Sequence, residues 1–308
     1  MSRRAAADAD GGADPRVRTD RGGHRGGLPV DPFARSFAAL GELALTGAVV
    51  SAVVRDLDSG EDLLAVDETV ALPVAQVGAL LLLVEVAAQL EDGTLSPLAS
   101  VARTGPVGDD VLPGASGLWP YLRRDALSVV DAAALVGAVR DGSAVTALVG
   151  RIGLEAVRAR AEGLGLRRTA LLDRARPARG PDDAPDLAVG TADELAGLVA
   201  RLVRGEVVDR AVSDRVLGWA SLSTDLTLAA SAFGLDPGSH RLRDHDLQLV
   251  HATGAAPGVR SEVGVLRGPR RGVAWATTVT FDDLTLGHRL RVLDGYRAIG
   301  TDLLEHVH

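Results

Sequence analysis

One stretch constrains this chain more than any other. Ala71 to Leu90, ALPVAQVGALLLLVEVAAQL, would be apolar on nearly every side as a helix. It is long enough to cross a bilayer. Pro73 sits near its start, Gln76 and Glu85 lie inside it, and no basic flank follows. The stretch is therefore read as a buried helix at the centre of a large soluble domain, not as a membrane span.

The flanking sequence says what surrounds that helix. Ala48 to Leu57 and Glu61 to Val66 read as a hairpin closed by Asp58-Ser59-Gly60. Leu127 to Arg140 and Ser143 to Ile152 read as helices broken at Asp141-Gly142. Thr191-Ala192-Asp193-Glu194 is a capping box opening a helix to about Arg204, with Gly205 as its stop. Arg174 to Pro185 reads as a long surface loop. Leu247 to His251, Ser261 to Leu266 and Val273 to Phe281 are predicted strands, the last two joined by a hairpin loop. Leu286, Leu290, Leu293, Tyr296, Ile299 and Leu303 recur at helical spacing. Strands, a block of helices, strands and a last helix imply an α/β (α+β) fold: an antiparallel sheet built from both chain ends, plus an all-helical subdomain. The expected division is a disordered leader over 1–30 and one domain over 31–308. The α/β part spans about 31–70 and 225–308, and the helical part about 71–224.

Composition removes whole classes of chemistry. The chain has 308 residues and no cysteine, so disulfides, thiolate metal sites and cysteine nucleophiles are excluded. All 33 basic residues are arginine, and asparagine is absent too. No mechanism that needs a lysine amine, such as a Schiff base or a P-loop, can operate. A formal charge of -8 without a basic stripe argues against nucleic acid. Arg3-Arg4 is not followed by an apolar segment, so the expected location is the cytoplasm, with a misassigned start as the alternative. No cofactor is expected.

The motif positions are more specific. The segments WASLSTDLTLAASAF (Trp219 to Phe233) and HATGAAPGVRSEVGVL (His251 to Leu266), with the central helix between hairpin and helical block, resemble the penicillin-recognising serine hydrolases. The resemblance is to the class A β-lactamase fold and its actinobacterial-type serine hydrolases, and it covers roughly Phe33 to His308. It implies acyl-enzyme hydrolysis of a β-lactam or related amide through Ser-x-x-Lys, Ser-Asp-Asn and Lys-Thr-Gly motifs. Val74-Ala75-Gln76-Val77 stands for the first motif, so Val74 replaces the nucleophile and Val77 the base. No Ser or Thr lies between Val70 and Leu90. Arg140-Asp141-Gly142 stands for the second, and arginine has no acceptor with which to pass a proton. Ala252-Thr253-Gly254 stands for the third, without the lysine charge. Asp173 is the carboxylate nearest the expected water-activating position. Drift turns exposed lysines into arginine, not active-site lysines into Val and Ala. The resemblance thus implies a non-hydrolytic relative that binds a small molecule or a protein partner through the old cleft.

The alternative is a hydrolase with a rebuilt site, using Ser116, Thr253 or Ser261 with His251 as base. A Ser or Thr hydroxyl facing the cleft within reach of His251 would favour it. Ser116, Trp119, Arg140, His251, Thr253 and Arg260 are the candidate cleft residues. Arg260 is expected to pair with Glu262 or a ligand carboxylate. Trp219 and Trp275 read as core aromatics. His240, Asp244, His245, Asp246 and His251 cluster in sequence, but their spacing is no known ligand motif, and no metal is expected.

Overall fold

A computed structural model describes residues 32–105, 108, 116–241 and 246–308. The expected leader, Gly114-Ala115, and Asp244 and His245 of the histidine cluster lie outside these residues. In chain order the elements are α1 (Ala34–Leu45), β1 (Val49–Asp56), β2 (Asp62–Val66), β3 (Leu72–Pro73), α2 (Ala79–Glu91), β4 (Ser100–Ala102), β5 (Ala126–Ser128), α3 (Val129–Val139), α4 (Gly142–Ile152) and α5 (Leu154–Gly163). They continue with β6 (Ala170–Leu171), β7 (Ala188–Gly190), α6 (Ala192–Arg204), α7 (Arg210–Ala220), β8 (Gln248–Ala256), β9 (Val259–Arg267), β10 (Gly272–Thr280) and α8 (Leu286–Val307).

The main sheet is antiparallel, with order β2-β1-β10-β9-β8, so its strands come from both ends of the chain. Alternation along the strands sends side chains to two cores. Val50, Ala52, Val54, Val273, Trp275 and Val279 face one core with α1 and α8. Val53, Val263, Val265, Ala274 and Ala276 face the other, with α2 and α6. β8 is an edge strand, and its outer edge borders the candidate site.

The central stretch departs from the single helix predicted over 71–90. Leu72 and Pro73 pair instead with β7, a 3₁₀ turn occupies Ala75–Gly78, and the α-helix starts at Ala79. Ala75 explains the break, because its φ of 47° is left-handed and cannot continue a helix. From Ala79 to Ala88 every residue of α2 is buried. Glu85 is tolerated there because Arg160 contacts its carboxylate at 2.7 Å and Gln89 donates to it at 2.8 Å. No helix among the described residues is long and apolar enough to cross a membrane.

Two other local expectations change in detail. Thr191 caps α6 by accepting from the Glu194 N–H, as the capping box requires. The return bond is absent: Glu194 accepts from the Arg167 and Arg168 N–H groups, and the Thr191 N–H goes to Thr169 Oγ1. In α8 the buried stripe is Val292, Tyr296, Ile299, Leu303 and Val307, while Leu286 and Leu290 are exposed. Close approach decides the phase. A side chain at Gly295 would meet Leu43 of α1, and one at Gly300 would collide with the Ala229 carbonyl.

Arg160→Ala strands the buried Glu85 carboxylate. The expected loss is about 2 kcal/mol, below the figure for a fully buried pair because Arg160 is one-third exposed. Urea unfolding of the two proteins measures it.

Candidate functional site

The site lies where β8 meets the turn before α2. Gly254 is essential to that approach, since a side chain there would strike the Val74 carbonyl and press on the Gln76 N–H. Val74 and Val77 are wholly buried and belong to the core around α2. The side chain that the turn presents is Gln76. Its Oε1 accepts the outward N–H of Ala255 on the β8 edge at 2.8 Å. Ala79, three residues on, opens α2.

Gln76 lines an open cleft of about 620 Å³. Ser116, Gly142, Ser143 and Thr146 also line it, with the 174–179 and 185–187 segments and the β8–β9 turn. Ser116 Oγ donates to the Arg140 carbonyl at 2.8 Å, and Thr146 Oγ1 to the Ala175 carbonyl at 3.1 Å. Asp173 does not line the cleft. Its carboxylate holds the loop together, accepting from Arg176 at 2.6 Å and Arg179 at 2.8 Å. Burial raises the Asp173 pKa, but those bonds and the Arg174 N–H outweigh it and leave the carboxyl below its ordinary value.

The second and third motif positions meet beside the cleft through a residue the sequence reading did not single out, Asp225. Arg140, in a left-handed conformation at the end of α3, contacts the Asp225 carboxylate at 2.9 Å. Thr253 Oγ1 donates to the same oxygen at 2.8 Å. Burial opposes ionisation of Asp225, but bonds from Thr227, the Arg140 charge and the Thr253 hydroxyl prevail, and its pKa is lowered. Asp225 is the one charged residue of the quoted segment Trp219 to Phe233, a signal that was present. Asp141 is a structural anchor. Fully buried, it accepts from the N–H groups of Leu118, Trp119 and Ala144.

Several candidates move away from the cleft. Trp119 is wholly buried, with its indole N–H on the Arg124 carbonyl. Arg260 does not pair with Glu262; its guanidinium donates to the carbonyls of Ala256 and Val259. Ser261 is buried and accepts from Thr278 Oγ1. Trp219 and Trp275 are buried. No three described His, Asp or Glu residues are arranged to hold a metal ion.

His251 has a hydroxyl partner, Ser223 Oγ at 3.4 Å, but both residues are buried outside the cleft lining. His251 Nε2 lies 3.0 Å from the Asp225 carbonyl, which can only accept, so Nε2 carries the proton. That nitrogen cannot take a proton from Ser223. Burial lowers the His251 pKa to about 4.

The model of the beta-lactamase enzyme family matches residues 32–307, and the chain belongs to that family. The beta-lactamase from Sphaerobacter thermophilus is 19% identical, with a TM-score of 0.73 over 89% of this chain and 97% of that one. PBP-A is 17% identical, with a TM-score of 0.71 over 88% and 95%. A beta lactamase from Xanthomonas campestris pv. campestris is 17% identical, with a TM-score of 0.71 over 90% and 99%. At these identities the likeness is one of fold. No curated protein matches the chain.

Glu262 gives this region a pH dependence. It is fully buried, its Oε2 accepts the Ala229 N–H at 2.7 Å, and burial raises its pKa to about 8. The native state therefore keeps a proton that the unfolded chain releases above its ordinary value of 4.5. Stability from this group is complete below that value and is lost as pH rises through about 8. Glu262→Gln is expected to leave stability nearly unchanged at pH 4 and to raise it by roughly 5 kcal/mol at pH 9. Wild type and variant share His251, so the difference between their unfolding curves isolates Glu262.

Proposed function

We propose that this chain is a non-hydrolytic member of its family that binds a ligand reversibly in the open cleft. One observation carries the reading: the side chain presented to the cleft where the central turn meets β8 is a carboxamide, Gln76, hydrogen-bonded to the strand edge. A carboxamide is neither a nucleophile nor a base. Ala79, at the spacing where a base would share its face, adds none.

Acyl transfer also needs N–H donors free to meet developing negative charge. The Ala255 N–H beside Gln76 is already taken. The rebuilt-hydrolase alternative lacks support from its own candidates. Ser116 donates to a carbonyl, Ser261 is buried, and Thr253 donates to a carboxylate whose pKa is lowered. His251 holds its Nε2 proton toward a carbonyl.

Binding is favoured over mere scaffolding by two features. The cleft is open and lined by polar groups. Ala75 also keeps a left-handed backbone that costs on the order of 1 kcal/mol and that aims Gln76 at β8.

The test is intact-mass spectrometry after incubation with benzylpenicillin, a compound seen as an acyl-enzyme in a PBP-A variant. The expected spectrum shows the unmodified protein alone. A stoichiometric acyl adduct would overturn the reading, and peptide mapping would locate the nucleophile.

A further inference from the structure

Resting on the reading of a reversible binding cleft, we propose that Gln76 is its specificity-determining residue and selects ligands that place an acyl oxygen, amide carbonyl or carboxylate, against its Nε2. The orientation of the carboxamide is fixed by its partner. The Ala255 N–H can only donate, so the atom facing it at 2.8 Å must be Oε1. That leaves the Nε2 amino group as the end of the side chain not committed to the strand. Among the described residues it has no hydrogen-bond partner.

The surroundings favour the same ligand chemistry. Gln76 is half-buried and lines the cleft, so Nε2 is accessible without a rearrangement of the turn. The Ser116 and Thr146 hydroxyls spend their protons on carbonyls of the wall. Arg174, exposed and also lining the cleft, adds a second donor. The bond to Oε1 polarises the carboxamide and makes Nε2 a stronger donor, in effect relaying the strand-edge N–H one side chain further into the cleft. The left-handed Ala75 and the glycine at 254 hold Gln76 at this strand edge. A donor fixed in this way discriminates well, because a ligand without the matching acceptor leaves a desolvated N–H unpaired.

The chain offers a clean spectroscopic test. It has three glutamines, Gln76, Gln89 and Gln248, and no asparagine, so side-chain amide signals come from three residues only. Gln76→Leu assigns the Gln76 pair in an amide-correlation NMR spectrum. Titrations then use acetate, N-methylacetamide, benzylpenicillin and, as a donor-only control, methylammonium. The expected result is that the Gln76 NH₂ pair shifts with acetate or N-methylacetamide and with benzylpenicillin, and not with methylammonium. Which small probe acts separates carboxylate from carbonyl. Gln76→Glu keeps an acceptor for the Ala255 N–H but turns an acceptor toward the cleft. Benzylpenicillin affinity is expected to fall at least tenfold in that variant and in Gln76→Leu.

Shifts at the Ser116 or Ser143 amides with an unmoved Gln76 pair, or undiminished affinity in Gln76→Glu, would overturn the proposal while leaving reversible binding intact. If no cleft signal moves with any probe, both the proposal and the reading beneath it fail.

Discussion

The close approach of β8 to the turn before α2 is the constraint on which the rest of the site depends. The backbones meet at Gly254 because there is no side chain between them. The turn can present a side chain there only because Ala75 adopts a left-handed φ and interrupts the run into α2. Edge strands carry unpaired backbone groups that must be met by water, by a ligand or by the chain itself. Here the chain meets one of them with Gln76. The fold thus brings a strand edge, a strained turn and a buried helix to one point, and the residue at that point decides what the point can do.

The charges around the site follow the same logic of self-satisfaction. The Arg140 guanidinium is neutralised by Asp225. Asp225 in turn engages Thr253 of the strand motif. In the 173–183 loop Asp173 gathers Arg176 and Arg179, and Arg176 also reaches Asp183. These pairs of cations and carboxylates beside the cleft are spent on each other, which stabilises its walls. Every Lys-or-Arg position of the chain is arginine, whose charge is fixed and whose fork suits bidentate pairing.

Much of the architecture could be read from the chain because it rests on periodicity and punctuation. The β1–β2 hairpin, the β9–β10 hairpin, the Thr191 cap and the Gly205 stop are local features, and each has a local cause. What was illegible depends on long-range contact. The helix over 71–90 was drawn too long, since nothing in the local pattern shows that Leu72 and Pro73 pair with β7. The helical spacing of α8 was legible, but which of its apolar residues lie inward depends on the close approaches at Gly295 and Gly300. That Val74 and Val77 face the core is likewise a matter of long-range packing. Gln76 was visible as one of few polar residues in an apolar run, but only the contact with Ala255 gives it a role. Asp225 and the burial of Trp119 and Ser261 likewise emerge only once the strands and loops are assembled.

The most direct measurement of this account is hydrogen exchange at the Ala255 amide in wild type and in Gln76→Ala. An edge-strand N–H with no partner exchanges quickly, whereas one bound to a positioned acceptor is protected. Ala255 is expected to be clearly protected in the wild type and to lose that protection in the variant, with neighbouring β9 amides unchanged. An Ala255 amide that is unprotected in the wild type, or equally protected in both proteins, would contradict it.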